Sequence, residues 1–195
     1  TNIQGLNATN TLTFRGIPSD TAVLRSAGGG NNTAVFLLDS VRNITFKNLT
    51  IQNEASNIGR CIQIRNQSSH IHIDSCRFIA TNPLLTAGLQ VVGVFLGPDP
   101  FSNFTEGDVG DHIIVENSDF FNLEQAVHVE ASFQFPSTDI QVLNNFVTSG
   151  LDGAFRFDNV DSLRVEGNTI EQMAVTTSDG IFAEDFDTFW FNKTL

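Results

Sequence analysis

The sequence predicts an all-β chain wound as a right-handed parallel β-helix solenoid, about seven turns of roughly 26 residues each. Three observations predict it: a nine-residue frame that recurs along the chain, a second short apolar segment between successive copies, and turn residues at a fixed place inside each frame.

The frame is read by placing Asn43-Ile44-Thr45-Phe46-Lys47-Asn48-Leu49-Thr50-Ile51 above His70-Ile71-His72-Ile73-Asp74-Ser75-Cys76-Arg77-Phe78. It returns from His112 to Phe120, from Asp139 to Val147, from Ser162 to Ile170, and in part from Thr188 to Asn192. Counted from Ile44 through Ile71, Ile113, Ile140 and Leu163 to Phe189, the steps are 27, 42, 27, 23 and 26 residues. Within each copy apolar and polar residues alternate, which is strand periodicity, and then Asn, Ser or Gly introduces a tight turn before another apolar residue. The second strand lies between copies, as Val35-Phe36-Leu37, Ile62-Gln63-Ile64, Val94-Phe95-Leu96, Val127-His128-Val129, Phe155-Arg156-Phe157 and Ile181-Phe182-Ala183. Stacking of equivalent positions then puts Ile51, Phe78, Phe120, Val147 and Ile170 in one interior column. It also makes Cys76, Ser118, Asn145 and Asn168 a ladder of turn residues whose polar groups satisfy backbone atoms. A β-sandwich would also alternate and turn at Gly and Asn, but it has no reason to repeat one frame.

Composition bounds the rest. A chain of 195 residues with 41% apolar content can bury one core, so residues 1–195 are read as a single β-helix segment, and disorder is excluded. A net charge of −12 is the wrong sign for nucleic acid. No apolar run is long enough to insert in a membrane, and Thr1 opens the chain without a leader pattern, as in a mature or excised soluble piece. Eighteen Phe without a single Tyr suggest rings kept in a dry interior. Cys61 and Cys76 leave a bridge open in an oxidising compartment, but two cysteines make no disulfide framework. No amphipathic helix precedes Leu12, and the chain stops at Phe191–Leu195. This segment is therefore expected to belong to a longer solenoid, packed against neighbouring solenoid segments or identical chains.

Candidate chemistry gathers on the outward side of the second strand. The register predicts a column of Gln63, Phe95, His128, Arg156 and Phe182 beside one of Arg65, Glu130, Asp158 and Glu184. His128, Glu130, Arg156, Asp158 and Glu184 would then share one exposed sheet face. Carboxylates one or two rungs apart suit acid/base glycoside hydrolysis, and the Arg156 fork suits the carboxylate of an acidic sugar. The plainer reading of these charges is that opposite signs on neighbouring rungs keep the sheet soluble and in register.

The long step contains an insertion loop at 98–111. Its Asp99, Glu106, Asp108 and Asp111 are hard oxygen ligands of the kind Ca²⁺ takes, at a spacing that matches no named loop; a solvated acidic loop needs no metal and no cofactor. Phe101 and Phe104 offer ring platforms for a sugar or a partner, or pack the loop onto the rod. Asn-x-Ser/Thr occurs at seven positions, among them Asn31, Asn66 and Asn103, and Thr21, Ser40 and Ser162 stand in Asp-Ser/Thr-aliphatic triplets. These six are the candidate glycosylation sites, all at proposed turns or loops.

The frame resembles the repeats of the secreted right-handed parallel β-helix, or pectate-lyase-like, superfamily. The stretches Thr11–Gly16 and Ser40–Ile51 look most like large bacterial cell-surface β-helix proteins. The resemblance implies an architecture more than an activity. The polygalacturonase signatures N-T-D, D-D, G-H-G and R-I-K are absent, as are the pectate-lyase signatures W-I-D-H and R-x-P-x-x-R. The expectation is a non-catalytic structural or adhesive segment of an extracellular or cell-surface protein: a rod, filament or adhesin. The alternatives are a polysaccharide hydrolase or lyase, or a non-catalytic glycan-binding module, working on the His128/Arg156 face.

Overall fold

The computed structural model describes residues 10–17, 22–26, 33–55, 58–81, 90–98, 109–148, 153–171, 181–184 and 189–192. The first coil runs through β1 (Leu12–Arg15), β2 (Val23–Arg25) and β3 (Thr33–Asp39), the second through β4 (Arg42–Lys47), β5 (Thr50–Asn53) and β6 (Ile58–Arg65). The third comprises β7 (Ser68–Asp74), β8 (Arg77–Ala80) and β9 (Gln90–Leu96), the fourth β10 (Gly110–Glu116), β11 (Asp119–Phe121) and β12 (Gln125–Glu130). The fifth comprises β13 (Ser137–Leu143), β14 (Phe146–Thr148) and β15 (Phe155–Asp158). The sixth comprises β16 (Val160–Glu166), β17 (Thr169–Glu171) and β18 (Ile181–Glu184), and β19 (Phe189–Asn192) opens a seventh.

Each strand pairs with its equivalents one coil away, so every third strand joins the same sheet. A first sheet runs from β1 to β19, a second from β2 to β17 and a third from β3 to β18, all with parallel pairing. The architecture is a parallel β-helix solenoid, as the repeat requires. Ile44, Ile71, Ile113, Ile140 and Leu163 stand in register on the first sheet, all buried. Ile51, Phe78, Phe120 and Val147 are buried in register on the second sheet, with Ile170 half-buried at the same position. Like stacks on like: Phe78 and Phe120 lie 4.7 Å apart and 7° from parallel, Phe14 and Phe46 5.2 Å apart and 13° from parallel.

From the second coil to the sixth, the bend from first to second sheet takes two residues, and it explains the Asn-rich frame. Asn48, Ser75, Asn117 and Asn144 each adopt φ between 51° and 55°, and Gly167 follows them at 67°. Asn tolerates this left-handed conformation better than most side chains, and Gly adopts it freely. The next residue points inward and builds the ladder. Cys76 N–H donates to Ser118 Oγ at 3.1 Å, Ser118 N–H to Asn145 Oδ1 at 3.0 Å, and Asn145 N–H to Asn168 Oδ1 at 2.8 Å. The two amide groups also donate to the carbonyls of Val115 and Val142 at 2.9 and 2.8 Å. Buried backbone groups at a sharp corner are thereby satisfied by side chains one coil away.

One sequence expectation is corrected, and the pairing of the cysteines that the sequence left open is resolved. The Phe residues are not all interior: Phe133 and Phe135 are 84% and 48% exposed. They ride on a turn that Ser132 holds, its Oγ accepting the N–H groups of Gln134 and Phe135 at 3.2 Å each. Cys61 and Cys76 are unbridged buried thiols that donate to different carbonyls, those of Ile51 and Asp74. Burial pushes the Cys61 thiol up to about 12 and the Cys76 thiol to about 11, so both stay protonated and inert.

Two predictions follow from the corner and its edge. Asn145→Ala strands the Ser118 N–H and the Val115 carbonyl in the interior and should cost about 2–4 kcal/mol. Its neighbour Asn144→Gly should change stability by less than about 1 kcal/mol, because Gly adopts the same conformation; urea unfolding of both variants checks the contrast. Asp74 is the second case. Burial raises its pKa, but hydrogen bonds from Lys47, Asn117 and Ser75 outweigh burial and hold it at about 2. Its stabilisation is complete above the unfolded value near 3.9 and is lost as pH falls through 2. Asp74→Asn should therefore cost about 2 kcal/mol at neutral pH and flatten that acid limb in thermal melts.

Candidate functional site

The third sheet carries the outward column expected from the sequence. Gln63 pairs with Phe95, Phe95 with His128, His128 with Arg156, and Arg156 with Phe182 in backbone register. Beside it Glu130 opposes Asp158, and Asp158 opposes Glu184. Arg65 stands at the same place in the frame, two coils before Glu130, with Gly97 between them. Its guanidinium grips Asp39 on the preceding coil at 2.9 and 3.0 Å, and Gly97 follows β9 where an intervening side chain would stand.

The face differs from the exposed one expected. Gln63 and Phe95 are buried, and the side chains of His128 and Asp158 are only 14% and 15% exposed. Phe95 lies between the Arg60 guanidinium, 4.4 Å from its centroid, and the His128 ring, set edge-on at 5.1 Å. Gly97 makes room for it, since a Cβ there would sit 2.5 Å from the Phe95 ring. Arg60 is itself buried, so its charge is held by the aromatic face and by the Gly59 carbonyl at 2.9 Å.

Asp158 is the centre of the polar end. Its Oδ2 accepts from Arg156 Nε at 3.0 Å and lies 3.8 Å from His128 Nε2. Asp158 Oδ1 and His128 Nε2 are both buried without a hydrogen bond. Burial alone would raise the Asp158 pKa, but His128 and the Arg156 charge outweigh it and hold the carboxylate below its ordinary value. An acid held ionised in this way accepts hydrogen bonds and attracts cations. A general acid for glycoside cleavage needs the opposite tuning.

The remaining sequence candidates fall elsewhere. Asp99, Phe101, Asn103, Phe104, Glu106 and Asp108 of the insertion, with Thr21 and Asn31, lie outside the described residues, as does the side chain of Glu184. The Asp111 carboxylate is engaged, its Oδ1 accepting the Thr138 N–H at 2.7 Å and the hydroxyl at 3.0 Å. Asn66 and Ser40 are exposed at corners and both donate to Asp39 Oδ1, whereas Ser162, expected at a turn, is exposed within β16. What sequence reasoning missed is the Phe133/Phe135 turn, which leaves the sheet directly after Glu130. Asn159, on the next coil, anchors its base through a 2.9 Å bond to the Ala131 carbonyl. Ser132 and Pro136 flank the turn and were its available signal.

The charge arrangement gives a direct check. In a carbon-detected NMR titration Asp158 should lose its proton below the ordinary Asp value of about 3.9. The stability it contributes is then present above that value and lost as pH falls through the lower folded one. A midpoint near 6 would instead mark it as an acid that holds its proton.

No protein-family model and no curated protein matches the chain. Among the described residues no helix is long and apolar enough to cross a membrane. A solved structure that the chain resembles is that of PfbA, a surface adhesin of Streptococcus pneumoniae. The TM-score is 0.58 at 20% sequence identity, over 70% of this chain and 33% of the adhesin. The chain thus spans about a third of that protein's length. What the two share at this distance is the stacked-coil fold.

Proposed function

We propose that the chain is a non-catalytic structural or adhesive segment of an extracellular, cell-surface protein: a stiff rod that presents contacts from its corners. The observation that carries this reading is the use made of outward polar groups. Asp39 with Arg65 and Asn66, Lys47 with Asp74, His72 with Glu116, and Asp111 with Thr138 each tie one coil to the next. Such pairs brace a surface, and they are spread along the rod rather than convergent on one reacting atom. The fold likeness to a surface adhesin and the acidic composition support the same reading.

Partners in this reading are neighbouring solenoid segments, identical chains or surface glycans, with neither nucleic acid nor a resident cofactor. The Phe133/Phe135 turn is the contact point, because a held turn presents its rings with little ordering cost on binding. Glycans on Asn66 or Ser40 fit the exposed corners and one on Ser162 the exposed face of β16, and Asn31, Asn103 and Thr21 remain candidates from sequence. Mass spectrometry of peptides from the native source should find sugar on at least one of the six. Beads coated with the chain should be retained on glycan-bearing surfaces, and Phe133→Ser with Phe135→Ser should cut retention severalfold without lowering the melting temperature. Retention equal to that of bare beads would overturn the adhesive part of the reading.

The half-buried His128/Arg156/Asp158 cluster favours a second reading, a carbohydrate-active enzyme with Glu130 and Glu184 as its further carboxylates. Wild type and a Glu130→Gln, Asp158→Asn double variant are compared on acidic and neutral polysaccharides, by reducing-end release and by absorbance of unsaturated products. The rod reading expects no product from either. Turnover by wild type that the double variant loses would establish the enzyme instead.

A further inference from the structure

Three of the chain's four histidines lie on the outer face of the first sheet. His70 and His112 occupy equivalent places on adjacent coils, each just before an inward isoleucine, in a column with Asn43, Asp139 and Ser162. All five residues adopt φ between 53° and 62°. The two rings are exposed, with centroids 4.7 Å apart and planes inclined by 43°.

The next residue in the column orients one ring. His112 Nδ1 lies 2.9 Å from Asp139 Oδ2, and Asp139 Oδ1 accepts Gln141 Nε2 at 2.9 Å. A carboxylate can only accept, so in the neutral imidazole the proton sits on Nδ1 and the lone pair on Nε2 faces away from Asp139. Carboxylates orient metal-binding histidines in this way. His72 is engaged elsewhere, its Nε2 on Glu116 Oε1 at 2.7 Å.

From this geometry we infer that His70 and His112 form a surface clamp for a divalent transition-metal cation of the Cu²⁺ or Zn²⁺ class, with Asp139 as the positioning residue. The ring spacing is the quantitative support. With metal–nitrogen bonds of about 2.0–2.1 Å and about 1.1 Å from nitrogen to ring centre, two imidazoles at roughly 90–110° around one ion have centroids about 4.5–5.2 Å apart. The observed 4.7 Å, set by stacking on adjacent coils, falls in that window. Nitrogen donors select a borderline metal over Ca²⁺ or Mg²⁺. Among the described residues no group of three or more His, Cys, Asp or Glu could hold a metal ion. The clamp is accordingly a two-ligand site completed by water.

The test uses the folded chain with Zn²⁺ or Cu²⁺ as the probe, in competition with a chromophoric chelator. His70→Asn and His112→Asn are the informative variants, because Asn already holds the same conformation in this column at Asn43 and the fold is kept. Wild type should take up one equivalent, and the double variant should bind at least about tenfold more weakly, with Asp139→Asn between them. His72→Asn and His128→Asn should bind as wild type does. Absence of saturable uptake by wild type, a smaller loss in the double variant, or an equal loss in His72→Asn would overturn the assignment.

Discussion

The parallel hydrogen-bond ladder between successive coils is the constraint on which the rest of the molecule depends. It holds each strand at a fixed spacing from its equivalent and forces residues with the same place in the frame to lie over one another. A position in this protein is therefore a column, and its chemistry is chosen jointly. An inward column must be apolar throughout, as Ile44 to Leu163 are. A corner column must satisfy buried backbone groups from one coil to the next, as Ser118, Asn145 and Asn168 do. One misfit disturbs two neighbours, which is why the same residue types recur so faithfully.

The same constraint governs the outside. Charges placed one rung apart on a sheet have little choice but to interact, and natural pairs such as Lys47 with Asp74 or Arg65 with Asp39 turn that proximity into support. The third sheet departs from this pattern. There a buried arginine and a buried aromatic ring, then a half-buried histidine and a half-buried aspartate, follow one another across β6, β9, β12 and β15. Burying that much polarity costs stability unless partners compensate, and the orphaned Asp158 Oδ1 and His128 Nε2 show that compensation is incomplete.

The coil architecture was legible in the sequence because its signal is repetition: apolar alternation names the strands, and the Asn-Asn or Asn-Ser pair names the corner. Once the register is known, the neighbours His128, Arg156 and Asp158 follow as well. The burial of Phe95 was not legible, since it depends on Arg60 and His128, which are remote in the chain and meet only after winding. Phe133 and Phe135 misled for a related reason. Phe-Gln-Phe has the period of a half-buried strand, and only the flanking Ser132 and Pro136 mark it as a turn that leaves the sheet.

The long step between Ile71 and Ile113 has a consequence for how such a chain can vary. Despite the added residues, β9 stays in register with β6 and β12, and β10 with β7 and β13. Chain length between coils is thus free, while phase within a coil is not. Doubling a loop costs only about 0.6 kcal/mol of closure entropy. Shifting one strand by a single residue would turn its whole apolar set outward. Insertions and deletions should therefore be tolerated at corners and disrupt the fold within strands, so diversity in such a chain should accumulate as side loops of unequal size on an unchanging spiral.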